Sequence, residues 1–140
     1  MKSIVLSVRP PWARQLVTGE KTVELRKRSL PGTGRPVKAF IYETKTLGGC
    51  GAIIGEVIFE GRDSQWRPLP LHEVPPHALP MVMVAACVTF EQARSYSGKP
   101  GMWDWTNVLW AWCVGNNKPV EYTAPKELCG PPPQSWYWGG

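Results

Sequence analysis

Lys21, Thr22, Glu24 and Arg26 fall within the stretch "GEKTVELRKR" (residues 19–28), so the chain itself brings an amine, a hydroxyl, a carboxylate and a guanidinium close together. Val23 and Leu25 alternate with them. In a strand, Thr22, Glu24 and Arg26 then face one way and the two apolar residues the other. Such a polar row could do two kinds of chemistry. A lysine stripped of water has its pKa drawn toward neutrality and becomes usable as a base or a phosphate anchor. A carboxylate beside it could take a proton or accept hydrogen bonds. The plainer reading is ion pairing along a strand edge, worth well under about 1 kcal/mol where the pair is exposed.

The elements that must hold this row are read from the periodicity on either side. "KSIVLSV" alternates Ile4, Leu6 and Val8 with Val5, Ser7 and Arg9, a strand with one face better buried than the other, and Pro10 and Pro11 end it. Trp12 and Leu16 share a helical face with Ala13 and Val17 beside them, and Gly19 serves as the cap, which predicts a short helix over residues 11–18. "PVKAFIYET" and "GAIIGEVIFEG" read as two strands joined by the turn-forming "KTLGGCG". Residues 61–80, with "RPLPLHEVPPHALP", are too rich in proline for a central strand and are expected to loop over the surface. "MVMVAACV" is a strand or a helix segment, which so short an apolar run does not decide. Thr89 and Gln92 stand at capping-box spacing and predict a helix over 90–96; "NVLWAWCVG" reads as a strand, and "PPPQSWYW" as a last short edge strand. The expected fold is α+β, mostly β: a small β-barrel of five to six mostly antiparallel strands with two or three short helices, in a single domain spanning residues 1–140.

Composition narrows the classes further. An apolar fraction of 43% and eight tryptophans are those of a folded protein, and 15 prolines with 14 glycines argue against an all-helical bundle. The longest apolar run, Met81 to Val88, is too short for a bilayer, and the N-terminus lacks the apolar length of a signal peptide. A soluble, cytoplasmic monomer with no membrane partner is therefore expected. Cys50, Cys87, Cys113 and Cys129 form no C-x-x-C pair, so they are read as reduced thiols, mostly in the core. His72 and His77 lack a third ligand, and neither a metal nor a cofactor is expected. The net charge of +5 is unevenly placed: residues 1–45 hold ten Lys/Arg against three Glu, or +7, and the remainder is −2. A localised excess of that kind concentrates polyanions, of which nucleic acid is the commonest in the cytoplasm, although small proteins also carry basic patches for solubility alone.

"LSVRPPWARQLVTGEKTVELRKR" resembles the N-terminal signature of the ASCH domain family: a strand, a proline–aromatic helix start, then G-x-K-T-x-E-x-R. "AFIYET" and "GAIIGEV" are similar to the family's next two strands, and "LWAWCVGNNKPVEYTAPKELCGPPPQSW" to the C-terminal half of its bacterial and phage members. The likeness spans most of the chain except about 61–80 and part of 81–105. It implies a PUA-like β-barrel with a cleft between the motif strand and the helix before it, and binding of RNA or single-stranded nucleic acid. In some members it implies enzymatic activity, as acylcytidine amidohydrolases in one branch and ribonucleases in another.

Carried over residue by residue, Lys21 matches the lysine at the heart of the cleft in both enzymatic branches. The amidohydrolase branch reads K-T-x-T-x-R, and Glu24 stands where that branch has its second threonine. A carboxylate there would act as a general base on water or as an acceptor for a base edge, rather than as a nucleophile. Ser135, in "QSW", resembles a serine close to the lysine in nuclease-like members, while a serine after prolines is also a common turn residue. The expected catalytic set is therefore Lys21, Glu24, Thr22 and Ser135. Arg9, Arg14, Arg26, Lys27 and Arg28 would form a basic groove, with Tyr42 and Gln134 among the ligand contacts. Trp12 and Trp136 would offer stacking faces worth about 1–3 kcal/mol per base, most other tryptophans being core or rim packing. The expected partner is RNA, single-stranded nucleic acid or a modified nucleoside. A polyproline-type adaptor role for "PPPQSWYW" has little support in three consecutive prolines.

Overall fold

The structure, a computed structural model, describes residues 2–31, 36–60, 69–116 and 118–139. Its elements follow as β1 (Lys2–Val8), α1 (Trp12–Thr18), β2 (Val23–Arg26), β3 (Val37–Glu43), β4 (Ala52–Glu60), β5 (Leu69–Pro70), α2 (Leu79–Ala86), α3 (Phe90–Ser97), β6 (Trp110–Val114), β7 (Val120–Lys126) and β8 (Trp136–Trp138). One sheet runs β2-β6-β4-β3-β1-β8, with β5 on β6 and β7 on β4, and forms a half-barrel. Among the described residues only β1 and β3 pair in parallel, with Leu6 opposite Ile41. The α+β, mostly-β class is the one expected. The strands beyond the expected six are β5, of two residues, and β7, whose sequence has no buried face.

α1 packs across β3 and β4, and its Ala13, Leu16 and Val17 share a core with Ile4, Leu6 and Val8 of β1. That approach requires a glycine at 55, where a Cβ would lie 2.2 Å from Val120 O and 2.6 Å from Val17 Cγ1. Gly19 ends α1 in the left-handed conformation (φ 89°), its N–H returning to Leu16 O, and turns the chain toward β2. β1 buries both faces from Ile4 to Val8, more than alternation predicts, because it lies between β3 and β8 and its Val5 packs with Tyr42 and Ile53 on the side away from α1.

A second core joins Val23 and Leu25 of β2 to Met83 and Ala86 of α2 and to Ala93 of α3. "MVMVAACV" is thus helical, and α2 closes at Cys87 in the left-handed conformation (φ 56°), with its N–H directed to Met83 O and Val84 O. α3 carries the expected capping box: Gln92 N–H donates to Thr89 Oγ1 at 3.0 Å, and Thr89 N–H to Gln92 Oε1 at 2.9 Å.

Two expectations are corrected. Residues 61–68 of the proline-rich loop lie outside the described residues, and 69–80 are not a plain surface loop. Pro70 pairs opposite Trp110 in β5, Leu71 is fully buried, and Pro76 opens a 3-10 turn at its first position, where a missing N–H leaves nothing unpaired. The cysteines are all free, but none is fully buried: Cys50 and Cys129 fall in exposed turns, while Cys87 and Cys113 are half-buried. Among the described residues, no helix is long and apolar enough to cross a membrane, and no group of three His, Cys, Asp or Glu could hold a metal ion.

Candidate functional site

α2 ends against the residues that precede β2, and its last carbonyls have no helical partner. Ala85 O accepts the Thr22 N–H at 2.9 Å, Ala86 O accepts Lys21 Nζ, and the carbonyl of Cys87 accepts Trp12 Nε1 at 3.0 Å. The Lys21 ammonium therefore sits at a helix C-terminus, where the partial negative charge favours a cation. Its main-chain N–H donates to Gln15 O of α1 at 2.9 Å, so both helices fix it. Only 2% of Lys21 is exposed. Burial draws its pKa down from the ordinary lysine range, and the Glu24 carboxylate, 3.4 Å from Nζ, partly restores it.

Pairing of β2 with β6, Glu24 opposite Trp112 and Arg26 opposite Trp110, sets both charged side chains on one face. Arg26 Nε donates to Glu24 Oε2 at 2.8 Å, and Nη2 stands 2.7 Å from the same oxygen. The guanidinium reaches on to Ser7 O (2.7 Å) and Ser135 Oγ (3.3 Å). Ser7 in turn donates its N–H to Ser135 O at 2.8 Å and its hydroxyl to Pro133 O at 2.6 Å. One network thus runs from the end of α2 through Lys21, Glu24 and Arg26 to the junction of β1 with the segment before β8. It holds one carboxylate between two cations.

Tyr96 of α3 lies at the outer end of this row. Lys27 Nζ lies 5.3 Å from its ring centroid. Burial raises the phenol pKa; Arg26 opposes this most strongly, Glu24 adds to it, and Arg9 lowers it slightly. Arg9, Lys27 and Arg28 are exposed and have no acidic partner within 4 Å among the described residues.

Of the residues singled out in the sequence, Lys21, Glu24, Arg26 and Ser135 come together, and Arg9, Lys27 and Arg28 stand near the outer end of β2. Thr22 joins only through its main chain, and its side chain is exposed. Arg14 pairs instead with the buried Glu43 (3.3 Å), whose other oxygen accepts the Cys50 N–H at 2.9 Å and ties down the turn after β3. Trp12 and Trp136 are half-buried against the first core, and Trp136 also packs edge-on against Trp138, 5.4 Å between centroids. Gln134 is exposed. Tyr42 lies on the other side of Ser7, lining an open cavity. Sequence reasoning missed Ser7 and Tyr96. A lone serine among Ile4, Leu6 and Val8 was a signal for the first, and nothing in the pattern marked the second.

The sequence matches the ASCH domain family over residues 6–124, most of its length. The chain belongs to the ASCH domain family. Solved structures of an ASCH protein from Zymomonas mobilis share the fold. That protein is 24% identical, with a TM-score of 0.68 over 99% of this chain and 88% of its own. A variant of it with one tyrosine changed to phenylalanine is 23% identical, with a TM-score of 0.68 over 100% and 91%. A third, with one serine changed to alanine, is 23% identical, with a TM-score of 0.69 over 99% and 89%. No curated protein matches the chain. The span matched to the ASCH domain contains Ser7, Lys21, Glu24, Arg26 and Tyr96; Ser135 lies beyond it.

Proposed function

We propose that this ASCH domain binds single-stranded RNA or a modified nucleoside in the cleft along β2, between α1 and α3. Arg9, Lys27 and Arg28 would take phosphates, and the Glu24–Arg26 pair, an acceptor beside a donor, would meet a base edge. The observation that carries the reading is the distribution of charge. The Glu24 carboxylate is already shared by two cations, while the three exposed cations have no acidic partner among the described residues. Such a cluster repels itself until a polyanion neutralises it. The partly exposed Tyr96 ring beside those cations is the kind of face on which an unpaired base stacks.

Anisotropy of a labelled hexanucleotide RNA, measured from low to physiological salt, tests this. Three phosphate contacts give a log–log slope of about −2 for a single strand. Lys27→Glu should weaken binding to every sequence and flatten that slope. Absence of binding at the lowest salt would remove the proposal.

A second reading, hydrolysis of an N4-acylcytidine or of RNA, draws support from the lowered pKa of Lys21 beside a carboxylate. The resting geometry works against it. Lys21 is engaged by Ala86 O and Glu24, and Glu24 by Arg26, so both would have to give up partners before either took a proton. Chromatography of N4-acetylcytidine incubated with the protein and with Lys21→Ala decides this. Turnover by the parent alone would establish the hydrolase, and turnover by neither would dismiss this amidohydrolase activity.

A further inference from the structure

A cavity of ≈ 280 Å³ opens beside the Arg26 network and shares Ser7 and Pro133 with it; Tyr42, Thr44, Lys45 and Pro132 complete its lining. Ligand cavities run from about 300 to 1,000 Å³, so this one is sized for a single small group. Its chemistry suits a planar heterocycle. Two proline rings and the tyrosine ring supply apolar faces; the Ser7 hydroxyl, which donates to Pro133 O, and the Thr44 hydroxyl, bonded to Thr46 Oγ1 at 2.6 Å, each keep a lone pair to accept with, and Tyr42 adds a phenol. Lys45, at the rim, is exposed and has no acidic partner within 4 Å among the described residues.

The walls are built rather than incidental. β3 shifts register against β4 between Ile41 and Tyr42, an irregularity of the kind that re-aims a side chain, and Tyr42 is then held by Val5 and Ile53. The Ser7 hydroxyl donates to Pro133 O at 2.6 Å, and the Thr44 N–H donates to Val8 O at 3.1 Å. Ser7 belongs to both places: its carbonyl holds Arg26 Nη2 at 2.7 Å, while its side chain faces the proline wall. The cavity and the charged network therefore abut at Ser7.

We propose that this cavity is a second nucleotide subsite. It takes the base next to the one at the Glu24–Arg26 pair, with Lys45 on the linking phosphate. The ligand is then single-stranded RNA of at least two nucleotides rather than a free nucleoside. The proposal rests on the reading of the β2 cleft as a nucleic-acid site and makes it specific as to ligand class.

Calorimetry with nucleoside 5′-monophosphates, the corresponding dinucleoside monophosphates and a hexanucleotide RNA tests it, because the dinucleoside probes add a base without adding charge. One further stacked base should tighten binding about 5- to 150-fold. Lys45→Gln, at an exposed position, should bring the ratio of the two affinities toward one. Equal affinity for the two small probes, or a ratio unchanged by both Lys45→Gln and Tyr42→Phe, would overturn the subsite while leaving the cleft reading in place. Failure of every probe, the hexanucleotide included, would overturn both.

Discussion

Replacing Glu24 with glutamine keeps the shape of the side chain and removes the one negative charge among Lys21, Glu24 and Arg26. Lys21, 2% exposed, is then left with Ala86 O and no counter-charge. Removing one partner of a buried ion pair costs about 3–5 kcal/mol, because the other charge stays buried. The loss depends on pH in a definite sense. The folded-state pKa of Lys21 lies below its unfolded value of 10.5, so between the two the unfolded chain holds a proton that the folded chain has released. Stability then rises with pH across that window and is lowest below it. Glu24 is the strongest influence holding the folded value up, so glutamine extends the window toward neutral pH. Urea unfolding followed by tryptophan fluorescence at pH 6, 7, 8 and 9 should show the variant's deficit largest at pH 6. It should shrink as pH rises, by no more than the about 1.4 kcal/mol per pH unit that one proton allows. A deficit below about 1 kcal/mol throughout, or one that grows as pH rises, would refute the picture of Lys21 as a buried ammonium held by Glu24.

Gly55→Ala places a methyl group against Val120 O and Val17, and should cost about 1–3 kcal/mol, read as a lower Tm in calorimetry. Thr89→Ala removes the capping box of α3 and should cost about 0.5–2 kcal/mol, with hydrogen exchange rising first in residues 90–97. Tyr96→Ala should weaken single-stranded RNA binding by about fivefold or more, whereas Tyr96→Phe, which keeps the ring, should hold most of the affinity; anisotropy separates the two.

Alternation made β1 to β4 and β6 legible, and one threonine–glutamine spacing located α3. β7 was not legible, since "VEYTAPK" has no buried face and is a strand only because β4 offers it an edge, as where Gly55 stands opposite Glu121. Lys21, Glu24 and Arg26 were legible as a spaced polar row, but their burial was not. It is produced by α2, whose short apolar run announces neither helix nor strand, and by the free carbonyls with which that helix ends. Arg14 looked like one more cation of the groove, and only the tertiary fold pairs it with Glu43. Ser7 and Tyr96 enter through contacts between β1, β2 and α3, which are distant in sequence, so no local pattern could have joined them.

Binding along β2 is decided by where RNA touches the protein. Amide chemical shifts should be followed by NMR during titration with a hexanucleotide RNA. The largest changes should fall at Ser7, Arg9, Arg26, Lys27, Tyr96 and Ser135, with residues 120–126 of β7 hardly moved. Changes centred on β7, with the motif strand and Ser135 silent, would contradict it.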